Sequence, residues 1–186
     1  MSFIEERLGY AFREGRWLQQ AMTHSTYANE NNAVGQDNER LEFLGDAVLG
    51  VMVARLLLER HPKAGEGELS RRRAHVVRRE ALAEQARRLE LENALLVGVG
   101  QKRAGVSDSL RLLSDAYEAL IGAVFLDGGF EAVSRTFEPF LLTAMSEVTD
   151  ARDYKTELQE RCHSMELPTP RYRVLSTSGP DHARQY

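Results

Sequence analysis

Hydrophobic residues recur at helical spacing through the first 148 residues, and polar or glycine-rich segments interrupt them. This pattern predicts helices over 16–26, 39–60, 70–91 (as one helix or two), 110–126 and 130–148. It predicts loops over 28–38, 61–68 and 98–109. Asp37 or Asn38 is the expected cap of the helix that begins at residue 39. No segment in this region alternates as a strand does, so we predict an all-α fold.

The composition changes at residues 149–153, which indicates a linker. Beyond it the pattern predicts a helix over 154–165, a strand over 171–178 and a turn over 179–182. One helix, one strand and the start of another cannot bury a proper core. We therefore expect this second part to be a fragment of a larger domain, or disordered.

The chain has 186 residues, of which 42% are hydrophobic and 28% charged, as in soluble globular proteins. The N-terminus has early acids and no secretory core, and no apolar run approaches membrane-spanning length, so we expect a cytoplasmic protein with no membrane partner. One cysteine excludes an intrachain disulfide and a multi-cysteine zinc site. The net charge of −4 argues mildly against a nucleic-acid binder, but arginines concentrate in SRRRAHVVRRE at 70–80.

Two mostly apolar helices each carry a pair of acids on one face. Glu42 and Asp46 are four residues apart, and Asp115 and Glu118 are three apart. A buried carboxylate needs protonation, an arginine partner or a divalent cation. An ion-pair network is the simpler interpretation of a single pair. However, the basic residues close in sequence are few, at most Arg40, Arg55 and Arg111.

If the two helices pack with their acid faces together, four carboxylates converge. Ligation by oxygen alone favours Mg²⁺ or Mn²⁺, and such a centre suits phosphodiester hydrolysis. A di-iron carboxylate bundle is the rival metal interpretation, and it requires two Glu-x-x-His motifs. The chain has one such motif, Glu160 to His163, in its C-terminal part.

The arginine-rich segment has two interpretations. Helical spacing places Arg71, His75 and either Arg78 or Arg79 along one side. That side is either a solvated face paired with nearby glutamates or an edge that grips phosphates beside the metal centre. In the second case a basic edge next to an acidic cleft would bind a polyanion and cut it.

The stretch NERLEFLGDAVL at 38–49 resembles the signature of the ribonuclease III family, which are double-strand RNA endonucleases. Three further stretches follow in family order: AMTHSTYANE at 21–30, EGELSRRRAHVV at 66–77 and SDAYEALIGAVFLDGG at 114–129. The resemblance covers residues 1–148. DYKTELQE at 153–160 and GPDH at 179–182 resemble the opening of a double-stranded RNA-binding domain.

The resemblance implies a helical nuclease domain over 1–148, a linker over 149–153 and the first part of an α/β RNA-binding domain over 154–186. It implies a homodimer that acts on double-stranded RNA with Mg²⁺, for which Mn²⁺ can substitute, and no small-molecule substrate. The implied metal ligands are Glu42, Asp46, Asp115 and Glu118, with Asp46 and Glu118 catalytic. Glu39 and Glu66 are implied as supporting acids, and Phe43 as a dimer contact. The expected RNA contacts are Arg71, Arg78, Thr156, Gln159, Glu160 and His182.

The mechanism implied is metal-assisted, in-line attack of water that leaves 5′-phosphate and 3′-hydroxyl ends with two-nucleotide 3′ overhangs, with ribosomal RNA precursors as expected substrates. The chain departs from the family pattern at Arg111, where a serine is usual, and over 101–109. The remaining strands and lysine-bearing helix of the RNA-binding domain do not follow, so we expect weak RNA binding by that part. The alternative is an RNA-binding or ribosome-associated protein that does not cut, and loss of an acid would be its signature. Here the acid set is complete.

Overall fold

The computed structural model describes residues 2–33, 35–147, 158, 159, 161, 162 and 164–171. The chain divides into two compact units, Met1–Val148 and Thr149–Tyr186. The described residues of the first unit form helices joined by loops and include no strand, which confirms the predicted all-α class. The helices are α1 (Phe3–Leu8), α2 (Gly15–Ala21), α3 (Ser25–Glu30), α4 (Glu39–Arg60), α5 (Glu66–Val76), α6 (Arg79–Arg88), a 3₁₀ helix (Leu91–Asn93), α7 (Val99–Ala104) and α8 (Leu110–Glu147).

The single helix predicted over 16–26 is wrong, because the chain breaks between α2 and α3. There Thr23 forms an isolated parallel bridge with Leu96. The His24 N–H donates to the Leu96 carbonyl at 2.9 Å, and the Leu96 N–H donates to the Met22 carbonyl at 2.8 Å. These backbone groups are therefore used by a pairing that is distant in sequence. Helix α3 then runs to Glu30, so the predicted loop over 28–38 begins later.

The loop predicted over 98–109 is also wrong in part, because it contains α7. Two α3 side chains bind the start of this short helix. The Val99 N–H donates to both carboxylate oxygens of Glu30, at 3.1 and 3.0 Å. The Gly98 N–H donates to Thr26 Oγ1 at 3.0 Å. Because these caps come from far along the chain, the local pattern does not reveal them.

The arginine-rich segment forms two helices, one of the two options predicted for 70–91. Helix α5 ends at Val76 and α6 begins at Arg79, while Arg78 between them is extended. A continuous basic side from Arg71 to Arg78 or Arg79 is therefore wrong. The break predicted after residue 126 occurs at Gly129 within α8, where φ is +75°, a conformation that glycine adopts without strain.

The centre of the first unit is the crossing of α4 and α8, which meet backbone to backbone. A Cβ added to Gly45 would lie 1.8 Å from the Glu118 carbonyl oxygen, and one added to Gly122 would lie 2.2 Å from the Leu41 carbonyl oxygen. Both positions therefore require glycine. Around the crossing, buried aliphatic side chains from the two helices form the core; they include Leu49, Met52, Val53, Leu120 and Ile121.

In the second unit, residues 158, 159, 161, 162 and 164 are helical. The linker over 149–153, the strand over 171–178 (apart from residue 171) and the turn over 179–182 lie outside the described residues. The partial RNA-binding domain therefore stays a prediction.

Across the described ranges, none of the helices has the length and apolar character needed to cross a membrane.

Replacing Gly45 with alanine tests the helix crossing. We expect Gly45→Ala to destabilise the fold by about 3 kcal/mol or more, because the new methyl group meets backbone that cannot rotate away. Gly50→Ala is the matched control on the same helix. A Cβ there meets nothing within 4 Å, so the higher helix propensity of alanine should stabilise it by up to about 1 kcal/mol. Urea unfolding followed by circular dichroism measures both, and equal stabilities would contradict the described crossing.

Candidate active site

The acid pairs predicted on two helices line one cleft of about 630 Å³, which we call the acid cleft. Helix α4 contributes Glu42 and Asp46, and α8 contributes Asp115 and Glu118. The other residues that line the cleft are His24, Ser25, Asn38, Glu39, Phe43, Gln101, Ser109, Arg111 and Leu112. The cleft therefore combines residues from α3, α4, α7 and α8 with adjoining loops.

Three carboxylates in the acid cleft lie close enough to share one cation. Glu42, Asp115 and Glu118 each offer an oxygen, and these oxygens all lie within 4.8 Å of one another. Asp46 lines the same cleft but does not belong to this group of three. Such an all-oxygen set fits a hard cation such as Mg²⁺ or Mn²⁺ better than a soft metal.

The electrostatics of the cleft disfavour further negative charge. Burial raises the pKa of Glu118 to about 7, and the nearby carboxylates of Asp46, Glu42 and Asp115 add to the rise. Burial likewise raises the pKa of Glu42, with Asp115 as the next cause. In the metal-free protein Glu118 therefore holds a proton at a pH where an ordinary glutamate is ionised. A bound cation would relieve the repulsion.

Asp115 has two partners on its own helix. Ser114 Oγ donates to Oδ1 at 3.1 Å, and Arg111 Nε donates to Oδ2 at 3.4 Å. Arg55, another candidate counter-ion, instead pairs with Glu59 at 2.9 Å and Glu138 at 2.7 Å. The ion-pair interpretation therefore describes Arg111 and one acid of the cluster.

Comparison with known proteins identifies the family. Residues 15–145 match the family model described as Ribonuclease-III-like. The chain belongs to the ribonuclease III family. The resemblance carried by residues 38–49 is thus confirmed, and with it the enzyme class of endoribonuclease.

Relatives from this family align with nearly the whole chain. Ribonuclease 3 of Symbiobacterium thermophilum is 44% identical over 192 residues, which is 100% of this chain and 79% of the relative. Ribonuclease 3 of Bdellovibrio bacteriovorus is 40% identical over 187 residues, which is 98% of this chain and 80% of the relative. A solved nuclease domain of ribonuclease III from Campylobacter jejuni has a TM-score of 0.72 at 35% identity and covers 77% of this chain and 96% of that one. The reported feature of that nuclease domain is structural flexibility in a region involved in dimer formation.

The two supporting acids that the ribonuclease III resemblance implies lie in different places. Glu39 lines the acid cleft. Glu66 lies exposed in the first turn of α5, where it accepts a hydrogen bond from Ser70 Oγ at 2.7 Å, and it is not among the residues that line the cleft. Phe43, implied as a dimer contact, is 82% exposed at the rim of the cleft.

Two of the predicted RNA contacts, Arg71 and Arg78, are not among the residues that line the acid cleft. Arg71 lies on α5, and Arg78 lines a small hollow together with His75. The neighbouring Arg79 lowers the pKa of Glu118, a relation that sequence reasoning missed. Gln159 lies in a helical segment of the second unit. The remaining predicted contacts, Thr156, Glu160 and His182, lie outside the described residues.

His24 lines the acid cleft, and sequence reasoning missed it as well. Its Nδ1 accepts a hydrogen bond from the Thr26 N–H at 3.2 Å and so caps α3. Burial lowers the pKa of His24, while Asp115 and Glu39 act in the opposite direction. The acids that His24 faces come from α4 and α8, so the sequence around residue 24 does not reveal them.

The raised pKa of Glu118 predicts how stability depends on pH without metal. Unfolded, the carboxyl titrates near 4.5, and folded near 7, so the native state loses stability as pH rises through this window. At about 1.4 kcal/mol per pKa unit, the loss is at most about 3 to 4 kcal/mol, and solvent screening of this partly exposed carboxyl makes it smaller. Glu118→Gln removes this titration. Urea unfolding in metal-free buffer measures the free energy of unfolding of both proteins. Between pH 4.5 and about 7 this free energy should rise in the variant relative to the wild type. A difference between the two proteins that does not change with pH would contradict the assignment.

Proposed function

We propose that the acid cleft is a divalent-metal centre at which this ribonuclease hydrolyses phosphodiester bonds of double-stranded RNA. The observation that carries the proposal is the grouping of Glu42 from α4 with Asp115 and Glu118 from α8. Three carboxylates this close together repel one another when they are ionised, and a bound cation would remove that repulsion. An endoribonuclease also needs a centre that acts on phosphate. One site meets both requirements.

In this proposal Glu42, Asp115 and Glu118 hold Mg²⁺, with Mn²⁺ as a substitute, and Asp46 adds negative charge beside them. The bound ion would lower the pKa of the attacking water and stabilise the leaving oxygen. Without the ion, burial and the neighbouring acids raise the pKa of Glu118 to about 7, so metal binding near neutral pH would release its proton. We assign Asp46 and Glu118 the catalytic roles. The proposed products carry 5′-phosphate and 3′-hydroxyl ends.

The proposed RNA contacts come from both units of the chain. A-form RNA offers phosphates and 2′-hydroxyls rather than a readable major groove, which favours arginine contacts and shape recognition. We propose that Arg71 and Arg78 contact phosphates from the segment of α5 and α6, and that Glu39 and Glu66 support the metal centre. In the second unit the proposed contacts are Thr156, Gln159, Glu160 and His182. We place the activity in the cytoplasm, on ribosomal precursor and other RNAs.

We further propose a homodimer through an apolar face of α4. Phe43, Val51 and Leu58 are all exposed, and their spacing of eight and seven residues places them within one side of the helix. Exposed Ala47 lies between them. A continuous apolar stripe of this kind is typical of a surface covered by a partner. Two-fold pairing would place two acid clefts in one molecule, as the cutting of both strands with two-nucleotide 3′ overhangs requires.

Neutralising one acid tests the catalytic proposal. We expect Glu118→Gln and Asp46→Asn to lower the rate of duplex RNA cleavage by at least about a hundredfold while the protein stays folded, because each removes a charge from the metal centre. Glu131→Gln is the control, since Glu131 is an exposed acid on the same helix α8. Gel analysis of a long duplex, with and without Mg²⁺, measures cleavage. Either acid variant cutting at the wild-type rate would refute the roles assigned. A wild-type protein that shifts the duplex without cutting it would be an RNA-binding protein instead.

Shortening Phe43 tests the dimer. We expect Phe43→Ala to weaken self-association at least about tenfold. The Phe43 ring is exposed in the single chain, and the substitution removes the apolar area that this ring would bury in the dimer interface. Phe3→Ala is the matched control, since Phe3 is also exposed but lies on α1. Sedimentation velocity across micromolar concentrations measures association. A wild-type monomer throughout this range would contradict the proposed dimer.

A further inference from the structure

Arg111 is the cation that contacts the acid cluster directly through a hydrogen bond. It lies one helical turn before Asp115, and its Nε donates to Asp115 Oδ2 at 3.4 Å. The other oxygen of the same carboxylate accepts from Ser114 Oγ at 3.1 Å. Asp115 is one of the three residues that could share a metal ion, so one of its oxygens already has a positively charged partner.

We propose that Arg111 is the resident counter-ion of the acid cleft, which holds Asp115 in the metal-free protein and gives it up when a divalent ion binds. Arg111 would thereby set the affinity of the centre for its metal. This inference rests on the metal centre proposed above. It adds a residue of this chain that opposes metal binding rather than ligating the ion.

The two partners of Asp115 differ in how easily they can leave. The Arg111 side chain is 78% exposed, and in the described part of the chain its guanidinium makes one hydrogen bond, from Nε, instead of a two-pronged contact. Ser114 is buried, and its hydroxyl also contacts the Arg111 carbonyl at 3.0 Å. The Asp115 side chain itself is only 14% exposed. Arg111 can therefore swing into solvent, whereas the buried Ser114 hydroxyl, whose one proton is shared between the Arg111 carbonyl and Asp115 Oδ1, stays beside the carboxylate.

The charge balance determines the direction of the effect. Arg111 lowers the pKa of Glu42, so its charge is felt beyond its own hydrogen-bonding partner. A divalent ion ligated by Asp115 would be repelled by the guanidinium, and it would displace Arg111 if it bound Oδ2. Because Arg111 is largely exposed, solvent screens much of this repulsion, and the expected effect on metal affinity is about three- to tenfold.

If Arg111 supported metal binding, its removal would lower the metal affinity instead of raising it. If Arg111 instead positioned Asp115 as a ligand, its removal would leave the carboxylate less ordered and weaken metal binding. The sign of the change in metal affinity therefore separates a competing cation from a positioning residue.

The test measures Mn²⁺ binding without RNA, from the signal of free Mn²⁺ in electron paramagnetic resonance at fixed ionic strength and neutral pH. The full chain is compared with Arg111→Gln, which removes the charge, and Arg111→Lys, which keeps it. Arg103→Gln, on exposed α7, is the control for loss of a cation elsewhere. We expect Arg111→Gln to bind Mn²⁺ about three- to tenfold more tightly, and the other two variants to stay within about twofold of the wild type.

A second readout is thermal unfolding. Without metal, Arg111→Gln should have a lower melting temperature than the wild type, because Asp115 loses its counter-ion. Saturating Mn²⁺ should raise the melting temperature of this variant by more than it raises that of the wild type. Unchanged or weaker Mn²⁺ binding by Arg111→Gln would overturn the inference while leaving the metal centre intact. If the wild type and every variant fail to bind Mn²⁺ saturably, the metal centre itself is refuted, and this inference with it.

Discussion

The acid cleft depends on one contact, the backbone-to-backbone crossing of α4 and α8 at Gly45 and Gly122. Glu42 lies three residues before one glycine, and Glu118 lies four residues before the other, so the crossing brings the two acid faces together. Any side chain at either glycine would force the helices apart. The surrounding aliphatic core then holds the crossing rigid, which is why an apolar helix can carry acids at defined positions.

Buried Asp127 and partly buried Glu118 show two different outcomes for an acid in this fold. Burial tends to raise the pKa of Asp127, but hydrogen bonds from the Tyr10 hydroxyl and two backbone N–H groups lower it below the ordinary value. Asp127 is therefore a satisfied structural acid that anchors the N-terminal segment to α8. Glu118 receives no such donor within the described ranges, and its pKa rises instead. The fold thus imposes an electrostatic cost at the proposed metal centre, where Arg111 contacts one of the acids.

Spacing along the sequence was enough to identify the acid pairs, because helical periodicity determines which residues share a face. The family resemblance, and not spacing, drew attention to Glu39 and Phe43. The position of α7 and the break before α3 could not be predicted, since both depend on hydrogen bonds between segments far apart in the chain, such as those from Val99 to Glu30. His24 escaped notice for the same reason, because its acidic neighbours become visible only in the folded chain.

The central claim is that carboxylates from two helices share one divalent ion. The most direct measurement is an anomalous difference map from crystals of the full chain grown with Mn²⁺. The account predicts an anomalous peak ligated by Glu42 of α4 together with Asp115 and Glu118 of α8. A peak bound by residues of one helix only, or no peak in a cleft whose carboxylates lie apart, would contradict it.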